Sequence, residues 1–196
     1  LERLSETIAL EQQADRSTIT VTSTNAAAQQ INHAVYERLV DAGIIDPTTI
    51  THGRDGDPIA AGAQVATREN DRELRVANRQ TWTVRSVNAD GRITVADPKT
   101  GHHRTLDADY VASHVQLAYA VTGHGAQGMT TDTAHAVLSD EMDAAGVYVG
   151  MTRGRASNIL HVVAENLADA RAQFIDAMER DPADRGLTDA TARAAE

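Results

Sequence analysis

The chain has 196 residues, 41% of them hydrophobic, which is enough for one large or two small domains with real cores. It has no cysteine, which excludes a disulfide scaffold and a thiolate zinc site and fits a reducing cytoplasm. No apolar run approaches the roughly 20 residues of a membrane span, and no signal peptide is read at the start. The net charge of −10 argues against nucleic acid at face value, but it is uneven. Residues 1–56 carry four Arg against eight acids, whereas 57–120 hold eight basic and eight acidic residues. With one Trp and one Phe, the core must be aliphatic.

Residues 1–16 read as a polar helix or linker with Leu1, Leu4, Ile8 and Leu10 near one face. Ser17–Ser23 alternates β-branched and polar residues and predicts a strand. Thr24 or Asn25 then caps a helix over about 25–42, with Ile31, Val35, Leu39 and Val40 inward and Gly43 as its stop. From Asp57-Pro58 to about 117 the pattern changes to short β runs at 63–67, 81–87, 92–96 and 103–106. Turns at Asn88–Gly91 and Asp97–Gly101 separate them. This spacing predicts a small antiparallel barrel inserted into an α/β domain.

Val115–Val121 reads as a strand again, followed by a short helix or loop from Ala126. A strand over 133–138, a helix over 142–152 and a buried strand over 158–163 come next. The helix over 166–180 carries Leu167, Ala170, Phe174, Ile175 and Met178. Residues 181–196 read as a polar, frayed tail.

Three stretches carry candidate chemistry. Thr122-Gly-His-Gly-Ala-Gln-Gly128 follows a predicted strand, where ligands of open α/β sheets gather. Its glycines permit close backbone approach to phosphate, and Thr122, His124 and Gln127 offer hydrogen bonds. An ordinary polar-capped turn is the plain alternative. In Gly150-Met-Thr-Arg-Gly-Arg155, an arginine at a helix end suits a bidentate phosphate clamp or an arginine finger acting on a nucleotide held elsewhere. It equally suits simple completion of a helix C-terminus. Val21-Thr-Ser-Thr-Asn25 is either a cap or a backbone-and-hydroxyl site for nucleic acid or nucleotide.

Trp82 is expected in the core rather than as a base-stacking platform. Arg68, Arg72, Arg75, Arg79 and Arg85 suit either a phosphate track or a solvated mixed-charge hairpin. His102-His103 lacks an obvious third ligand, so no metal site is read. The only lysine, Lys99, follows Pro98, so no Gly-Lys-Ser/Thr nucleotide loop is present and the chain alone is not expected to hydrolyse ATP.

The order TSTN…IN (22–32), a β insert, AYAVTGHGAQGMT (118–130) and YVGMTRGR (148–155) resembles the C-terminal part of RecD-like superfamily 1B DNA helicases. It is especially similar to the helicase portion of TraA/TrwC-type conjugative relaxases, over roughly residues 17–165. The resemblance implies a second RecA-like motor domain (17–56 and 118–180) with an inserted Src-homology-3-like barrel (57–117). It implies that Thr122 and His124 face single-stranded DNA, and Thr24 and Asn25 of the Val21–Asn25 stretch are the further DNA-contacting candidates. Gln127, Gly128 and Arg155 would lie towards an ATP–Mg2+ cleft completed by an upstream RecA-like domain, and Arg153 would be the finger reaching the γ-phosphate. Two positions depart from the pattern: Gly125 stands where relatives usually carry Lys or Arg, and Asn25 where many superfamily 1 helicases place a nucleotide-contacting arginine. The competing expectation is a non-catalytic docking module that keeps only the fold.

Overall fold

The computed structural model describes residues 1–180, and the expected tail at 181–196 lies outside them. Contacts divide the chain into two units, residues 1–17 with 26–120, and residues 18–25 with 121 onward. In chain order the elements begin with α1 (Glu2–Gln13), β1 (Thr18–Thr22) and α2 (Asn25–Asp41). Then come β2 (Asp46–His52), β3 (Pro58–Ala61), β4 (Gln64–Thr67), β5 (Thr81–Val87), β6 (Ile93–Ala96), β7 (His103–Leu106), α3 (Ala108–His114) and β8 (Val115–Leu117). The chain continues through β9 (Ala120–Thr122), β10 (Thr131–Val137), α4 (Ala144–Gly150), β11 (Gly154–His161) and α5 (Leu167–Glu179).

In the first unit, β4 to β8 form a five-stranded antiparallel sheet in the order β7-β6-β5-β4-β8, and β2 pairs with β3 as a separate ribbon. The strands fall where turn residues break the sequence: Gly91 (φ +84) closes the β5–β6 hairpin and Gly101 (φ +70) the β6–β7 hairpin. Trp82, Val84, Ile93, Val95 and Leu106 are buried along this sheet. Among the described residues no pairing joins β7 to β8, so the sheet is open rather than a closed barrel. α1 buries Leu4, Ser5, Ile8 and Ala9, while Leu1 and Leu10, expected on the same face, are exposed.

The second unit is built on a parallel sheet, order β11-β10-β1-β9. β10 runs parallel to β1, with Thr18 opposite Thr133, and to β11, with Ala134 opposite Asn158. β1 is a central strand, and all five of its residues are buried despite their alternating polarity. β11 is an edge strand, so the segment expected to be buried is half-exposed. α5 forms where expected and is capped by Asn166, whose Oδ1 accepts from Asp169 N at 3.0 Å. Its apolar stripe does not face the core: Leu167, Phe174, Ile175 and Met178 are exposed, and only Ala177 is buried.

The strand expected over Val115–Val121 is two strands in two sheets. β8 pairs with β4, and β9 lies beside β1. The break at Ala118-Tyr119 is held by side chains standing in for strand partners. Asp57 Oδ2 accepts from Leu117 N at 2.8 Å, and Asn32 Oδ1 accepts from Tyr119 N and Ala120 N, each at 2.8 Å. Among the described residues no helix is long and apolar enough to cross a membrane.

Candidate nucleic-acid and nucleotide site

The carboxyl ends of β1, β9 and β10 carry a rim of hydroxyls. Gly123 N donates to Thr22 O at 3.2 Å, which sets the ends of β9 and β1 side by side. The buried Thr22 hydroxyl donates to Thr24 O at 3.0 Å and so fixes the turn into α2, which begins at Asn25. Ser23 Oγ lies 2.7 Å from Ser139 Oγ, just past the end of β10. Thr24 and Thr122 are half-exposed, and Asn25 and Ser139 are exposed. Such hydroxyls bind phosphate and sugar oxygens without reading sequence. Ser23 lies in the Val21–Asn25 stretch read from sequence, but Ser139 is not legible there, because their meeting depends on the parallel pairing of β1 with β10.

Residues 123–128 form hydrogen-bonded turns rather than the short helix allowed for from Ala126. Thr122 anchors them: its Oγ1 accepts from Gly125 N at 3.3 Å and its carbonyl from Ala126 N at 2.9 Å. A β-carbon at Gly125 would sit 3.2 Å from both Thr122 O and Val121 Cβ, so a long cationic residue there requires the turn to give slightly. Ala126 and Met129 pack onto Ile19 and Val21 of β1. His124, Gln127 and Gly128 are exposed, with Gly128 at φ +80.

The turn therefore travels from one end of the sheet to the other. It leaves the carboxyl end of β9 and enters the amino end of β10, across the roughly 15 Å length of a five-residue strand. At that far end Thr131 N donates to Arg153 O at 3.0 Å. Thr122 and Thr24 thus lie at one end of the sheet and Arg153 at the other, with residues 123–130 running between.

Arg153 follows α4, whose last residue must be small. A β-carbon on Gly150 would lie 2.6 Å from Ala136 Cβ. The half-buried Arg153 side chain folds back onto the helix end: Nε donates to Val149 O at 3.1 Å, and Nη2 to Thr152 Oγ1 at 2.9 Å. The Thr152 hydroxyl in turn donates to Tyr148 O at 2.7 Å. In this position the cation completes a helix C-terminus, a favourable place for positive charge. Reaching a phosphate requires Arg153 to exchange these carbonyl and hydroxyl partners for the ligand. Arg155 is exposed and pairs through Nη2 with Asp132 Oδ1 at 2.7 Å. Among the described residues no group of three or more His, Cys, Asp or Glu side chains is placed to hold a metal ion.

No protein-family model matches the chain. An uncharacterised protein of Mycobacterium tuberculosis is 36% identical over 88 residues, covering 44% of this chain and 51% of that protein. The probable conjugal transfer protein TraA of Sinorhizobium fredii is 27% identical over 142 residues, 71% of this chain and 13% of TraA. The multifunctional conjugation protein TraI of Escherichia coli is 30% identical over 83 residues, 42% of this chain and 5% of TraI. Among solved structures, the Pif1 helicase from Bacteroides in complex with ADP-AlF3 and ssDNA superposes with a TM-score of 0.60 at 20% identity, covering 90% of this chain and 45% of that one. The match thus spans about half the length of the first curated relatives, and less than half of the Pif1 chain.

Proposed function

From the premise that this chain resembles the C-terminal part of a superfamily 1B DNA helicase and is akin to conjugation proteins, we propose that it is the C-terminal motor-domain fragment of an ATP-dependent 5′→3′ DNA helicase of the conjugative-relaxase kind. In this reading residues 17–56 and 118–180 are the RecA-like domain, and 57–117 are its inserted Src-homology-3-like barrel, of which the open five-stranded sheet is the main wall. Thr24, Asn25, Thr122 and His124 contact single-stranded DNA. Gln127, Gly128, Arg153 and Arg155 face ATP and Mg2+ held by an upstream RecA-like domain in the cytoplasm, and Arg153 serves as the arginine finger.

One observation carries the reading. Residues 123–130 join a hydroxyl rim at the carboxyl ends of β1 and β9 to the amino end of β10, where Arg153 bonds to Thr131. A single segment that touches a DNA strand at one end and a nucleotide at the other is the element a translocating motor needs. Closure on ATP would draw Arg153 off the α4 carboxyl end and shift this segment with it. Hydrolysis would return the guanidinium to Val149 O.

A second reading, a docking module that keeps only the fold, is favoured by the partners Arg153 and Arg155 already have within the unit. Binding of this chain to oligo-dT at rising salt separates the two. The motor reading predicts binding at low salt that falls steeply through counterion release. No binding at low salt would favour docking.

A further inference from the structure

One buried polar side chain stands outside the site described above yet is tied to the segment that leads into it. Asn32 lies on α2, about two turns beyond Asn25, and is 3% exposed. Its companions on the buried face of α2 are Ala28, Ile31, Val35, Tyr36 and Leu39. A buried amide among such neighbours destabilises the fold unless it is hydrogen-bonded. Asn32 finds its partners on one short stretch: Oδ1 accepts from Tyr119 N and Ala120 N, each at 2.8 Å, and Nδ2 donates to Ala120 O at 3.1 Å. Successive amides of an extended strand point in opposite directions. One acceptor that takes both therefore fixes a bend at Tyr119, immediately before β9.

β9 has few anchors of its own. It has three residues, and in the order β11-β10-β1-β9 it is paired along one edge only. A slip of one residue would exchange the faces to which its side chains point. Val121 would then leave the cluster it shares with Ile19 and Val21, and the Thr122 hydroxyl would turn away from Gly125 N. Asn32 grips Ala120, two residues before Thr122, and so sets the register from which the turn at 123–128 begins.

We propose that Asn32 is a positioning residue for the nucleic-acid contact of this domain. It touches no ligand, and acts through Ala120 on where Thr122 and the turn after it meet a single strand. The proposal rests on the reading in which Thr122 and His124 contact DNA. Asn32 carries no charge, so its contribution is to the hydrogen bonds of Thr122 and not to the release of counterions. A residue that served stability alone would lower the folded fraction and leave the affinity of the folded chain as it was.

The test is titration of fluorescein-labelled oligo-dT with wild type, Asn32→Ala, Thr122→Ala and the double variant at several salt concentrations. The temperature is one at which circular dichroism shows each chain folded. Asn32→Ala is expected to weaken binding about tenfold, the worth of one or two hydrogen bonds, with an unchanged log–log salt slope. The double variant should bind within about twofold of Thr122→Ala, because one effect runs through the other. With wild type binding, any of three results overturns this assignment alone: unchanged affinity in Asn32→Ala, a shallower salt slope, or losses that multiply in the double variant. If Asn32→Ala does not fold, amide hydrogen exchange of wild type decides instead. By reciprocity, oligo-dT should slow exchange at Tyr119 and Ala120 several-fold, and unaltered exchange there overturns the assignment. Wild type that ignores oligo-dT at low salt overturns both the assignment and the DNA reading.

Discussion

Asn32 and Ala120 are joined by two hydrogen bonds: Asn32 Oδ1 accepts from Ala120 N at 2.8 Å, and Asn32 Nδ2 donates to Ala120 O at 3.1 Å. The amide of one side chain thus does for Ala120 what a neighbouring strand does for a residue in a ladder. It does so where the chain leaves β8 and starts β9, the strand that ends at Thr122. Asp57 supports the same switch from the other side, with Oδ2 on Leu117 N and Oδ1 2.8 Å from His33 Nε2.

Asn32→Ala leaves Tyr119 N, Ala120 N and Ala120 O without their side-chain partner in a buried place. Unsatisfied buried groups cost about 1–3 kcal/mol each, with partial relief by relaxation, so a loss of about 2–4 kcal/mol is expected. Urea unfolding followed by tryptophan fluorescence measures it. A loss under about 1 kcal/mol would show that the switch is held by something else.

Tyr119 gives a pH prediction. It is fully buried, its hydroxyl accepts from Gln64 N at 3.0 Å, and burial pushes its pKa far above the ordinary tyrosine value. Its folded pKa is thus raised above its unfolded one, so the unfolded chain releases the proton first as pH climbs. Stability from this group is full below about pH 10 and falls as pH rises beyond it. Thermal unfolding from pH 8 to 11 should show Tm dropping through this range, and Tyr119→Phe should flatten the drop. An equally steep fall in Tyr119→Phe would assign the alkaline sensitivity to other groups.

Trp82 is the only tryptophan, and it is 1% exposed, with Nε1 3.4 Å from Thr67 Oγ1. Its emission should be that of an apolar interior and should redden on unfolding. Saturation with oligo-dT should leave its intensity nearly unchanged, because no base reaches the indole. Strong quenching on binding would place a base on Trp82 and contradict its role as core.

Much of this fold is legible in the sequence because local rules act on short segments. β5 and β7 match their expected bounds, as their turn residues demanded. α3 was missed: ADYVASH has a single buried residue, Val111, and so no helical stripe to read. β2 was missed for a similar reason, since it is an almost wholly exposed edge strand with Pro47 near its start. The run 115–121 read as one strand because periodicity does not see a side chain such as Asn32 arriving from far along the chain. α5 shows the converse: its stripe is real, but a pattern of apolar residues does not state that a partner is present.

The candidate residues were legible as chemistry, not as geometry. Thr122, His124, Gln127 and Arg153 announced themselves by glycine spacing and type. That Arg153 caps α4 is a local contact the sequence already allowed, whereas the meeting of Ser23 with Ser139 depends on parallel strand register, which only the assembled sheet fixes.

The most direct measurement of the central claim is DNA-stimulated ATP turnover by Arg153→Ala in a longer protein with the upstream RecA-like domain that the proposed function calls for. Loss of an arginine finger predicts a fall of about a thousandfold, with oligo-dT affinity within a few-fold of wild type. Turnover equal to wild type would contradict the account, since Arg153 would then be nothing more than the cap on α4.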